Sequence, residues 1–212
     1  LAGGYQGKLY PVNLNHRVVG GIAAVPNVKM LEPEIDLAVV TTAIRSLPGV
    51  MKDCAKKGVK AVLLTREFAD TDELESEVMK ESLAIAKRAG VRVLGPNMLG
   101  LMRPVIGLNA SNYSAKVRPG NLALVAHSSA LCTAMLDWAE AKGIGFSSVI
   151  SMGESSDLDF GEILDYLVAD GYTQGILLHV HSIHDARRFM SSLRAAARGK
   201  PVVVIKSGRY LD

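Results

Sequence analysis

The chain has 212 residues, 49% of them hydrophobic and only 5% aromatic, with a formal net charge of +3. That length holds one large or two small domains, and an apolar fraction built on Ala, Val, Ile and Leu suits buried parallel strands covered by helices. Scattered lysines and arginines with no aromatic-interleaved basic stripe argue against a nucleic-acid partner; the lack of a spanning apolar run or signal peptide argues against a membrane. Cys54 and Cys132 sit far apart in helical patterns, form no CxxC or disulfide framework, and point to a reducing, cytoplasmic setting.

The chain opens at Leu1, and Gly3-Gly4 already reads as a helix end, so a piece of a longer protein is expected. Lys8 to Asn13 (KLYPVN) reads as a short strand, and Gly20 to Pro26 as a turn with a brief extended piece. Ile35 to Thr41 is a buried strand, Leu47 to Lys57 a helix stopped by Gly58, and Lys60 to Thr65 the next strand. Thr71 to Ala89 is a long amphipathic helix whose acidic start (Asp72, Glu73, Glu75) and basic end (Lys87, Arg88) match the helix dipole. Val91 to Leu94 closes the first rhythm of strand and helix, which predicts an open parallel sheet. Such sheets bind ligands beyond the carboxyl ends of their strands. Those ends carry Asn13, Thr41-Thr42, Thr65 and Pro96-Asn97, small neutral groups suited either to a sugar, amide or pantetheine arm or to ordinary loop chemistry.

Leu99 to Arg118 lacks periodicity and reads as a linker closed by Pro119-Gly120. A second α/β rhythm follows. Its strands are Leu122 to Val125, Ser147 to Ser151, Ile176 to Val180 and Val202 to Lys206. Its helices are Ala130 to Lys142, Phe160 to Ala169 and Asp185 to Ala197. There is no GxGxxG after a strand, no Walker loop and no Gly-x-Ser-x-Gly elbow.

Within the second rhythm, Asn121 to Trp138 (NLALVAHSSALCTAMLDW) is a strand, a small polar turn and a helix start. A helix N-terminus offers unpaired N–H groups and partial positive charge, so this turn suits phosphate or carboxylate. Ser128 and Ser129 each add a hydroxyl, and one serine acting only as a cap is the plainer alternative.

Several phrases in order, RVLGPNMLGL, GLNAS, NLALVAHSSALC, SMGESSDLDFGEILDYL and KPVVVIKSGR, resemble the nucleoside-diphosphate-forming acyl-CoA synthetases. The α-subunit of succinyl-CoA synthetase is one relative. The likeness is strongest to long fused chains, including protein lysine acetyltransferases that carry a degenerate synthetase region. It implies a Rossmann-like CoA-binding domain over residues 1–118 and a flavodoxin-like ligase domain over 119–212. The family converts acyl-CoA and phosphate to acyl phosphate, then passes the phosphoryl group through a histidine to ADP. By that resemblance CoA or acyl-CoA would lie along Asn13, Thr41, Thr42, Ala43, Thr65 and Asn97. Phosphate would meet Ser128, Ser129 and Ala130, and a nucleotide (ADP or ATP) would be served by parts outside this stretch. The expected partners are a small-molecule ligand and other domains of the same chain or a second copy. No catalytic or metal-binding residue is assigned.

The sequence departs from the family pattern. The family's Gly-rich turn would precede Leu1, and its phosphorylated histidine would follow Asp212. Ala126-His127-Ser128-Ser129 stands for Ser-Gln-Ser-Gly, and Thr65-Arg66-Glu67-Phe68 for a Ser-Ala-Gly-Phe-like turn. A glutamate that steadies the phosphohistidine aligns at His181. These departures favour a degenerate ligand-sensing region of a fused acetyltransferase, with part of an active ADP-forming acetate–CoA ligase as the alternative.

His179, His181 and His184 form HxHxxH, and flavodoxin-like strand order would bring His127 and His181 to one crevice. Three readings stay open: a zinc site, a pH-sensitive anion cradle that tightens from about pH 8 to about 6, and unrelated loop histidines.

Overall fold

The computed structural model of the chain describes residues 4–65 and 73–208. These form two compact units, one spanning Gln6–Val93 and the other built on the residues from Leu94 onward.

The first unit opens with a small antiparallel hairpin, β1 (Val18–Val19) and β2 (Ile22–Ala23). Where Lys8 to Asn13 reads as a strand, only an isolated bridge forms, between Val12 and Val25. The body of the unit runs β3 (Leu37–Val40), α1 (Leu47–Lys57), β4 (Ala61–Leu64), α2 (Glu73–Ala89) and β5 (Arg92–Leu94). The sheet order is β3-β4-β5, with β3 and β4 parallel. α1 ends where the sequence says, because Gly58 adopts φ 76° and its N–H caps the carbonyls of Ala55 and Cys54. Leu47, Met51 and Cys54 of α1 pack with Val62, Leu64 and Val93 of the sheet as one apolar cluster. Asp72 and Thr71, expected in the first turn of α2, lie outside the described residues.

The second unit contains β6 (Gly100–Arg103), β7 (Leu108–Ser111), β8 (Pro119–Ala126), α3 (Ser129–Ala141), β9 (Phe146–Ser151), α4 (Phe160–Ala169), β10 (Gly175–Val180), α5 (Ala186–Gly199) and β11 (Val202–Lys206). Its six-stranded sheet has the order β11-β10-β8-β9-β6-β7. β8, β9, β10 and β11 are parallel neighbours, and β6 pairs antiparallel with both β9 and β7. The stretch expected to be a linker is therefore partly sheet. β6 and β7 extend the parallel core, and the compact unit that holds them takes in the residues from Leu94. Four parallel strands with helical crossovers give the flavodoxin-like α/β arrangement. β8 and β10, the first and third parallel strands, lie side by side, so their carboxyl ends meet.

α4 forms over the expected residues for a local reason. Asp159 accepts the Glu162 N–H at 2.9 Å while the Glu162 carboxylate accepts the Asp159 N–H, a complete capping box.

Candidate functional site

In the first unit the structure brings four of the expected ligand residues to one edge. Thr41, Thr42 and Ala43 follow β3 and are exposed, and Thr65 follows the parallel neighbour β4 and is buried. The edge carries hydroxyls and backbone but no charge among these four, so it suits uncharged polar groups of a ligand. Asn13 is held by its own loop, its Oδ1 accepting the N–H groups of Asn15 (2.9 Å) and His16 (3.0 Å). Arg66, Glu67 and Phe68, read as a departure from the family turn, lie outside the described residues.

Asn97 belongs to the second unit. It is half-buried and left-handed (φ 56°), and its Nδ2 donates to the Glu154 carboxylate. Around it two loops are joined through backbone. The Glu154 N–H donates to the Pro96 carbonyl at 3.1 Å, and Gly153, at φ 58°, lies so close that a Cβ there would stand 1.9 Å from the same oxygen. Ser151, fully buried at the end of β9, accepts the Leu99 N–H at 3.0 Å and lies 3.4 Å from the Ser129 hydroxyl. Ser151 thus ties the loop after Asn97, through Leu99, to the start of α3. Ser151 and Glu154 escaped sequence reasoning. Their phrase, SMGESSDLDF, was visible as a family signature, but its contact with residues more than fifty positions upstream carries no local signal.

At the α3 N-terminus the structure shows the capping serine. Ser128 is the N-cap, with extended backbone (φ −80°, ψ 118°) and a hydroxyl accepting the Leu131 N–H at 3.2 Å. The Ser129 and Ala130 N–H groups are the other first-turn donors. Ser129 is half-buried and Ala130 exposed, so the helix start faces solvent.

His127 lies at the end of β8, half-buried, with its ring edge-on to Phe160 at 4.7 Å between centroids. Its Nδ1 accepts the backbone N–H of His181 at 3.0 Å, which places the ring proton on Nε2. The expected meeting of His127 with residue 181 therefore occurs, through backbone. Burial, and then the neighbouring His181, His179, His184 and Lys206, lower the His127 pKa to about 4. The expectation that His127 gains charge from about pH 8 to about 6 is corrected accordingly. A half-buried ring that accepts at Nδ1 and packs on Phe160 stays neutral there. The His181 side chain is exposed, with Nδ1 3.3 Å from the Ser207 hydroxyl, and its carbonyl accepts from Lys206 Nζ at 2.9 Å. His179 is half-buried, and burial lowers its pKa too. Among the described residues no group of three or more His, Cys, Asp or Glu is placed to hold a metal ion, and no helix is long and apolar enough to cross a membrane.

Comparison with known proteins gives the chain a family. Residues 2–104 match the CoA binding domain, and residues 119–211 match the succinyl-CoA ligase like flavodoxin domain. The chain is 33% identical over 217 residues to the α subunit of acetate–CoA ligase [ADP-forming] I of Pyrococcus furiosus, covering 97% of this chain and 46% of that one. It is 37% identical over 210 residues to acetate–CoA ligase [ADP-forming] of Methanocaldococcus jannaschii, covering 97% of this chain and 29% of that one. The structure superposes with a TM-score of 0.93 on the dinucleotide forming acetyl-coenzyme A synthetase 1 of Ca. Korarchaeum cryptofilum in complex with phosphate and ADP. Identity there is 31%, with 99% of this chain and 45% of that chain covered. The chain belongs to the nucleoside-diphosphate-forming acyl-CoA synthetase family. It spans less than half the length of these relatives.

Proposed function

We propose that this chain is the CoA- and phosphate-binding part of an ADP-forming acyl-CoA ligase. The observation that carries the reading is the first turn of α3 at the end of β8, with Ser128 engaged as cap, Ser129 half-buried and Ala130 exposed. The Asn97 loop stands beside it, and the uncharged Thr41, Thr42, Ala43 and Thr65 edge suits the neutral parts of CoA. In this reading a phosphate held at the helix start attacks the thioester carbonyl of acyl-CoA. The C–S bond breaks, the CoA thiolate leaves, and acyl phosphate forms. Transfer of the phosphoryl group to a nucleotide falls to other parts of the protein, in the same chain or another copy, and the setting is cytoplasmic.

A second reading keeps the binding and drops the turnover, as a regulatory region of a fused protein acetyltransferase. Ser129 where the family has Gly, and His181 where it has Glu, favour it. The full protein incubated with acetyl-CoA, phosphate and Mg-ADP separates the two. ATP formation that requires both acetyl-CoA and phosphate supports the ligase. Saturable CoA binding with no ATP formation, and acetyl transfer to lysine instead, supports the sensor.

A further inference from the structure

We propose that the pocket between the starts of α4 and α5 binds a small neutral amide. His127 and Ser155 are its hydrogen-bond donors at the floor, and the helix-cap carboxylates Asp159 and Asp185 are its acceptors at the mouth.

The pocket lies on the face of the sheet opposite α3. Leu124 and Ala126 of β8 join Cys132 and Leu136 of α3 in one apolar cluster. Successive strand residues point to opposite faces. His127, next in line, sets its ring against Phe160 of α4, and Phe160 meets Phe189 of α5 edge-on at 6.2 Å between centroids. These three rings, with Ser155 and the two cap residues, line a pocket of about 240 Å³, its open mouth included.

Ser155 marks the pocket as a site. It is 8% exposed and left-handed (φ 52°), and its buried hydroxyl finds no hydrogen-bond partner among the described residues. Buried polar groups are almost always paired, so a lone hydroxyl lining a pocket is a group waiting for a ligand or a water. His127 adds a second donor. Its Nδ1 is taken by the His181 N–H at 3.0 Å, so Nε2–H is the polar group the ring has left to present. The floor is otherwise apolar, with Phe160 and Phe189 each 5% exposed. At the mouth Asp159 is half-buried and Asp185 exposed. One oxygen of each caps its own helix, Asp159 Oδ1 accepting the Glu162 N–H and Asp185 Oδ1 the Arg188 N–H, both at 2.9 Å. The second oxygen of each remains an acceptor.

This division of donors and acceptors selects the ligand. A carboxylate would satisfy His127 and Ser155 but meet two like charges at the mouth. An ammonium would suit the mouth but leave the His127 N–H facing another donor. A primary amide answers both ends. Its carbonyl oxygen accepts from His127 Nε2–H and the Ser155 hydroxyl, its NH2 donates to the cap carboxylates, and its apolar part lies on the two phenylalanines.

Saturation-transfer NMR on the full protein, with acetamide as the probe, tests this. Acetamide should give a saturable signal, and equal concentrations of acetate or ethylammonium should leave that signal unchanged. Ser155→Ala should weaken acetamide about fivefold, the loss of one neutral hydrogen bond worth ~1 kcal/mol. The same variant should keep its urea midpoint, because the hydroxyl bonds to nothing in the protein. Asp159→Asn combined with Asp185→Asn keeps a capping side chain on both helices and removes the charge. In that variant acetate should displace acetamide. No saturable signal leaves the Ser155 hydroxyl to water and overturns the site. Acetamide bound equally well by Ser155→Ala lies elsewhere, which overturns it too. Acetate that competes in the unmodified protein, or fails to compete in the double variant, overturns the role of the two caps. Should the double variant fail to fold, Ser155→Ala and the competition in the unmodified protein still decide.

Discussion

His127 is a residue whose local chemistry opposes its apparent role. A histidine beside a phosphate cradle invites a protonation switch, but its Nδ1 is committed to the His181 N–H and its ring is packed on Phe160. Its folded pKa, about 4, lies below the ordinary 6.5. On acidification the unfolded chain takes up this proton first, so the fold loses stability as pH drops through 6.5 toward 4 and the loss levels off below that. The lowered pKa of His179 acts in the same direction. His127→Gln keeps an oxygen able to accept the His181 N–H and removes the titration. Urea midpoints should therefore fall less between pH 7 and about 4 for that variant than for the unmodified protein. Parallel pH profiles for the two proteins would show that His127 is not the buried titrating group.

Arg103 shows why one element was missed. At the element scale, α1 and α4 were readable to the residue because their stop and start signals are local: Gly58 after one, Asp159 with Glu162 before the other. By its sequence the pair β6 and β7 reads as linker. Pro104 and Gly107 break its alternation, and a charged residue stands at Arg103 inside a strand whose pairing partner, β9, lies some forty-five positions on. The compensation is tertiary. Arg103 Nη2 meets Asp170 at 2.7 Å, Nη1 meets the Ser148 hydroxyl at 3.1 Å, and Tyr166 and Tyr172 place ring centroids 5.6 Å from the guanidinium. Asp170 also accepts from Thr173 at 2.7 Å, which bonds onward to Ser147, so the ion pair ties the strand β6 to β9 and to the end of α4. With Arg103 17% and Asp170 6% exposed, removing one partner leaves a buried charge. Arg103→Ala should destabilise the second unit by about 3–5 kcal/mol, and Arg103→Met combined with Asp170→Asn should cost clearly less. Equal losses in chemical denaturation would mean that Arg103 contributes packing alone.

Across the whole molecule the sequence carried the order of the parallel strands and of the helices between them, because buried parallel strands announce themselves as short aliphatic runs between amphipathic helices. What it could not carry was which unit each ligand residue belongs to. Asn97, grouped by sequence with Thr41 and Thr65, packs in the unit that holds the α3 N-terminus. That division gives a test of the two binding surfaces separately. Ligand bound at one surface slows amide exchange there, since opening must now compete with binding. Sulfate should therefore protect peptides covering residues 127–132 and leave residues 37–43 and 61–65 unchanged. CoA should protect residues 37–43 and 61–65. Ser129→Pro sharpens the sulfate arm. Proline is tolerated at the first helical position, and Ser128 before it is already extended, so the variant deletes one N–H donor and a hydroxyl while the helix stays in place. Ser129→Ala deletes the hydroxyl alone. A charge-assisted bond is worth about 1.5–3 kcal/mol, so Ser129→Pro should lose at least about tenfold in sulfate affinity, with Ser129→Ala losing less. Unchanged sulfate affinity in Ser129→Pro, or sulfate protection spread over residues 37–65, would take the anion away from the α3 N-terminus and leave Ser128 as a cap and nothing more.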